Sequence, residues 1–89
     1  MKRIYLDYAS TTSLDRRVRK VMEPFLQGAL VGSFGNPSSI HLEGVMAKKA
    51  IDTALTTVAR SLEAHSDEIV FTSGATEANN LAIFGILST

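Results

Sequence analysis

The chain has 89 residues, enough for one small domain that hides roughly 60–65% of the surface its unfolded form exposes. Its 45% hydrophobic and 20% charged content is that of a globular protein and argues against disorder, while a formal net charge of +0 argues against a dedicated nucleic-acid or membrane-surface protein. Cysteine is absent, so these residues contain no disulfide framework, thiolate metal site or thiol nucleophile.

The charge is unevenly spread. Residues 1–20 carry Lys2, Arg3, Arg16, Arg17, Arg19 and Lys20 against Asp7 and Asp15. A run of this kind reads as a solvated helix face rather than a binding patch. Met1-Lys2-Arg3 resembles the start of a signal peptide, but Asp7 and the polar residues after it interrupt any apolar core. No apolar run approaches the ~20 residues needed to cross a bilayer. The expectation is a cytoplasmic protein with no membrane or nucleic-acid partner.

Ile4-Tyr5-Leu6 is a short extended entry, and residues 7–13 form a hydroxyl-rich loop that can bond its own backbone. Asp15 caps a first helix, with Ser13 as the alternative start. Val18, Val21, Met22, Phe25 and Leu26 make its apolar stripe, Pro24 kinks or shortens it, and Gly28 stops it. Residues 32–39 are dense in Gly, Asn, Pro and Ser and read as an ordered turn or exposed loop, in which Phe34 is expected to pack on something. The longest helix spans 39–64, about 40 Å, with apolar residues recurring every three or four positions from Met46 to Leu62. His65-Ser66-Asp67 turns the chain into one strand at 68–72. A final helix, with Ala78, Leu81, Ala82, Ile83, Phe84, Ile86 and Leu87, is apolar almost all round and would normally be buried on most sides.

Between that strand and that helix lies Ser73-Gly74-Ala75-Thr76, with Thr76 the expected N-cap. A helix start with unpaired N–H groups, a hydroxyl and no bulk is an anion cradle, most often for phosphate. Asn80 follows Thr76 by one turn on the same face and can support the cradle by hydrogen bonding. His41 and His65 have no second His, Cys or carboxylate at ligand spacing, so no metal site is expected. The layout as a whole, one strand with helices too apolar for so small a body, is that of part of a larger α/β unit. It divides into an arm with the first helices at 1–64 and a strand, cradle and helix at 65–89.

Three separated blocks carry a family resemblance. They are Ile4-Tyr5-Leu6-Asp7-Tyr8-Ala9-Ser10-Thr11-Thr12, then Phe34-Gly35-Asn36-Pro37-Ser38-Ser39-Ile40-His41, then Glu68 through Ile83 around Ser73-Gly74-Ala75-Thr76-Glu77. In this order they resemble the amino-terminal part of the cysteine desulfurases, pyridoxal-phosphate enzymes of the class V aminotransferase type, closest to the NifS/IscS group. The resemblance implies an α/β fold, the amino-terminal piece of the fold-type-I architecture, here mostly helical with one strand. It implies that Gly74, Ala75 and Thr76 form a phosphate cup for pyridoxal phosphate. Thr11, Asn36 and His41 would lie on the substrate side or at the active-site mouth and subunit contacts, with Asn80 in support. It also implies a homodimer and a sulfur-acceptor protein in iron–sulfur cluster or other thio-cofactor assembly. Ser13 stands where the family commonly has proline, with no functional consequence expected, since either residue can begin a helix.

Family members are several times longer. Their Schiff-base lysine, ring-stacking histidine, pyridinium-pairing aspartate, carboxylate-holding arginine and persulfide cysteine lie further along. Lys2, Lys20, Lys48 and Lys49 do not match the family's lysine motif. The expectation is therefore a non-catalytic piece of a cysteine desulfurase, with no catalytic residue of its own and no cofactor bound by this chain alone. The alternative is a non-enzymatic small helical protein that self-associates through its apolar helix faces.

Overall fold

The structure is a computed structural model, and it describes residues 1–27 and 34–88. The expected stop at Gly28 and the start of the glycine-rich loop at Gly32 and Ser33 lie outside the described residues. The chain divides into two compact units, Met1–Lys48 and Lys49–Thr89, with the division falling inside the longest helix.

In the first unit the arm has no regular structure until residues 8–10, which turn. The Asp7 carbonyl organises this turn. It accepts from the Ser10 N–H at 3.0 Å and from the Tyr5 hydroxyl at 2.9 Å. The Tyr5 and Tyr8 rings meet edge to face at 4.9 Å. Helix α1, Arg16–Met22, starts where expected, because the Asp15 side chain accepts from the Arg17 N–H at 2.8 Å. Arg19 and Lys20 in its last turn complement the negative end of the helix dipole. Pro24 shortens the helix: α1 gives way at Glu23 to a 3-10 turn, Glu23–Phe25.

Asn36 then builds a tight turn, its side chain accepting from the Ser38 N–H and its carbonyl from the Ser39 N–H, both at 2.9 Å. Phe34, expected to be packed, is exposed. Helix α2, Leu42–Ser61, is shorter at both ends than the expected 39–64 and about 30 Å long. At its start the His41 carbonyl accepts the first helical bond, from the Val45 N–H, and the Asn36 turn occupies residues 36–39. Two glycines let this turn lie against the helix. A Cβ on Gly35 would run into the Glu43 backbone, and one on Gly44 would run into the Ser39 and Asn36 carbonyls.

In the second unit α2 ends in a Schellman motif. The Ala64 N–H reaches back to the Ala59 carbonyl at 2.9 Å and the Glu63 N–H to the Arg60 carbonyl at 3.3 Å. Glu63 takes the left-handed position at φ 54° that glycine usually fills. Thr53, Thr56 and Thr57 bond the carbonyls four residues back, so the polar face of α2 is satisfied within the helix. A 3-10 turn, Ser66–Glu68, follows, with the Glu68 carboxylate accepting from the His65 N–H at 2.7 Å.

The expected strand at 68–72 is not formed. Glu68 belongs to the 3-10 turn, Ile69 is extended at φ −102° and ψ 130°, and no strand occurs among the described residues. The fold described is therefore helical, and the reason is geometric. A β-strand is defined by pairing, and an extended segment without a neighbour leaves its ladder groups unpaired. Helix α3, Ala75–Leu87, closes the described chain. Burial is slight: Ala47 and Ala59 are the buried apolar residues among those described, and Gly44 is buried beside the Asn36 turn.

Candidate functional site

The α3 start is built from an uncapped glycine. Gly74, not Thr76, is the N-cap, and it supplies no side chain to the first N–H groups. Thr76 lies inside the first turn. The small residues before it let the helix begin two positions earlier than its hydroxyl suggests. Gly74 is fully extended at φ 168°, and open space surrounds the position a Cβ would take. The Thr72 hydroxyl donates to the Gly74 carbonyl at 3.0 Å, which ties the extended segment to the helix start.

The donor set suits an anion. The first N–H groups of an α-helix have no partner within it, and no side chain caps them here. The Ser73 hydroxyl and N–H face an anionic oxygen already, because the Glu77 carboxylate accepts from them at 3.1 and 3.4 Å. Sequence reasoning did not single out Ser73 and Glu77 as a pair. The available signal was an acidic residue in the first helical turn, where the dipole favours negative charge. Asn80 donates to the Thr76 carbonyl at 2.7 Å. It steadies the main chain of the first turn from the side of the helix.

The other expected site residues lie in the first unit. Thr11 is exposed, and its N–H is 3.5 Å from the Asp7 carbonyl. Asn36 spends its side-chain oxygen on the turn at Ser38. His41 caps α2, its Nδ1 accepting from the Gly44 N–H at 3.2 Å. The same Nδ1 lies 3.3 Å from a Glu43 carboxylate oxygen. One ring nitrogen can serve only one of these partners at a time, as acceptor for Gly44 or, when protonated, as donor to Glu43. Gly74, Ala75, Thr76 and Asn80 belong to the second unit and are gathered on the first turns of one helix.

The electrostatics are mild. Arg17 beside Asp15 holds that carboxyl below its usual range, by a side-chain pair at 3.0 and 3.1 Å and by the cap bond, and the carboxylate in turn raises the guanidinium. No group of three or more His, Cys, Asp or Glu able to hold a metal ion occurs among the described residues. No described helix is long and apolar enough to cross a membrane.

Comparison with known proteins agrees on one family. The model of the class-V aminotransferases matches residues 4–89. The chain is 52% identical over 87 residues to a cysteine desulfurase IscS of Dictyoglomus turgidum, an alignment covering 97% of this chain and 21% of that protein. It is 51% identical over 85 residues to a putative cysteine desulfurase IscS 1 of Bacillus subtilis, covering 96% and 21%. With a cysteine desulfurase IscS of Pseudoalteromonas translucida the identity is 54% over 83 residues, covering 92% and 20%. No solved structure matches. The chain thus spans about a fifth of the length of these curated relatives. Within that fifth the match is nearly continuous, and on it the chain belongs to the class-V aminotransferase family.

Proposed function

We propose that the chain is the amino-terminal part of a pyridoxal-phosphate-dependent cysteine desulfurase. Such an enzyme converts L-cysteine to L-alanine and leaves the sulfur as an enzyme persulfide for transfer to an acceptor protein. The observation that carries this reading is identity of about half over nearly the whole chain to proteins named for that activity. The α3 start supports it. The main-chain N–H groups of Ala75 and Thr76 would hold the cofactor phosphate, with the Thr76 hydroxyl available beside them and Gly74 leaving the approach open. When bound, pyridoxal phosphate supplies the electron sink that the chemistry at the substrate requires. This stretch orients the cofactor by one end, Asn80 holds the first turn in place, and Thr11, Asn36 and His41 are assigned to the substrate side and subunit contacts. The whole enzyme acts as a cytoplasmic homodimer in iron–sulfur cluster assembly, and this chain by itself is not catalytic.

The test is a titration of pyridoxal phosphate into the isotope-labelled chain, followed by amide resonances and by sulfide release from added cysteine. Weak, non-saturating shifts confined to Ser73, Ala75, Thr76 and their neighbours, with neither a stable cofactor complex nor sulfide release, are expected, because the phosphate is the one handle this stretch offers. Shifts elsewhere, or none, overturn the phosphate assignment, and cysteine-dependent sulfide from the chain alone overturns the non-catalytic assignment. Replacing Glu77 by Gln removes a carboxylate from beside the incoming phosphate and should tighten binding a few-fold, since like charges in contact disfavour each other.

A second reading is favoured by the exposure of Leu81, Ile83, Phe84, Ile86 and Leu87 on α3. It is a non-enzymatic helical protein that buries these side chains by self-association. Concentration-dependent assembly with no response to pyridoxal phosphate would select it.

A further inference from the structure

The start of α2 holds a side chain with two alternative partners. His41 stands just before Leu42–Ser61, and its Nδ1 accepts from the Gly44 N–H at 3.2 Å. The same atom lies 3.3 Å from a Glu43 carboxylate oxygen. A ring nitrogen accepts only while it carries no proton, so the Gly44 bond requires the neutral ring with its proton on Nε2. A proton on Nδ1 removes that acceptor and supplies a donor to Glu43, which is already within reach. The His41 side chain is 61% exposed, so a proton arrives without unfolding. The Asn36 turn beside it, residues 34–40, has no titratable side chain, and within this unit no other described helix packs on the α2 start. Glu43 is therefore the charged group that faces the ring.

The two protonation states act differently on the chain. Gly44 is buried against the Asn36 turn, and the Ser39 and Asn36 carbonyls fill the space its Cβ would take. An N–H in that position has no ready access to water, and leaving it without an acceptor is destabilising. A cation at a helix N-terminus also opposes the helix dipole. The exposed pair with Glu43 offsets little of this, because such pairs are weak in water. The arrangement that suits the imidazolium is one in which the turn lifts from the helix and water reaches Gly44. Ser38 and Ser39 move with the turn, since Asn36 holds both of their N–H groups.

We propose that His41 is a pH-dependent latch on the joint between the Asn36 turn and α2, closed while the ring is neutral and open once it is protonated. The inference goes beyond the cysteine desulfurase reading and does not depend on it. The test follows the isotope-labelled chain by magnetic resonance from mildly alkaline to mildly acidic pH. At the alkaline end the His41 ring resonances should show the Nε2–H tautomer. As the ring takes its second proton, the hydrogen-exchange protection of Gly44, corrected for the intrinsic effect of pH on exchange, should fall at least tenfold. Ser39 should follow with the same midpoint. His41→Asn supplies a cap that does not titrate and should keep Gly44 protected throughout. Glu43→Gln takes away the partner of the imidazolium and should move the midpoint to lower pH, and an unmoved midpoint overturns the part assigned to Glu43. The latch itself fails if the neutral ring carries its proton on Nδ1, if the ring protonates with no change at Gly44, or if His41→Asn loses protection over the same range as the parent. Circular dichroism reports whether each variant keeps α2, and where one does not, the ring and amide midpoints of the parent decide the outcome.

Discussion

Among the described residues Glu63 is the non-glycine residue that takes a positive φ. A side chain in the left-handed region costs roughly 1–2 kcal/mol, and the Schellman bonds around it hold it there. Glu63→Gly relieves that cost and gives back part of it as freedom in the unfolded chain. A net gain of about 0.5–1 kcal/mol is expected, read as a higher midpoint of thermal helix loss. Asp15 makes the matching case at the other end of the chain. Its carboxyl is depressed by Arg17 and by the cap bond, so the charged form is favoured in the folded state. Stability from a depressed carboxyl is present above its unfolded pKa and lost as pH falls through the folded value. Helicity in Arg16–Met22 should therefore fade at the acid end, below the usual aspartate range, and Asp15→Ala should lose it at neutral pH. Amide resonances of Arg17 and Val18 would report both.

Glycines show how the same residue serves different ends in different elements. In α2, Gly44 is where the Asn36 turn meets the helix, and the space for a Cβ is already filled by main-chain oxygens. Alanine is worth about 1 kcal/mol in intrinsic helix preference, but overpacking costs about 1–3 kcal/mol, and backbone cannot yield as a side chain can. Gly44→Ala should therefore destabilise the start of α2. In α3, Gly85 has open space around it, so Gly85→Ala should gain close to the full propensity difference, about 1 kcal/mol. A comparison of the two by thermal circular dichroism checks the sign of each.

At the scale of the molecule the main fact is what remains wet. Burying a large apolar side chain is worth about 1.5–3 kcal/mol, so five of them left more than half exposed on α3 forgo on the order of 5 kcal/mol. That is comparable with the whole stability of a small domain. The chain alone is expected to unfold with low cooperativity and to associate as concentration rises, both measurable by calorimetry and by light scattering across a dilution series. A sharp two-state transition in a dilute monomer would contradict this.

The amino-acid sequence by itself determined the local signals. Asp15 as a cap, Pro24 as a terminator, the Asn36 turn and the period of the two later helices follow from rules that act within a few residues. It also determined the family, because three motifs in order identify relatives without any knowledge of packing. The structure decided what depends on contact. His41 caps a helix, Gly74 and not Thr76 begins α3, and Glu77 bonds Ser73. The strand expected at 68–72 failed for the same reason in reverse. Helical bonds close within one segment, whereas a strand exists only when another segment lies beside it, and residues 69–72 have no such neighbour among the described residues.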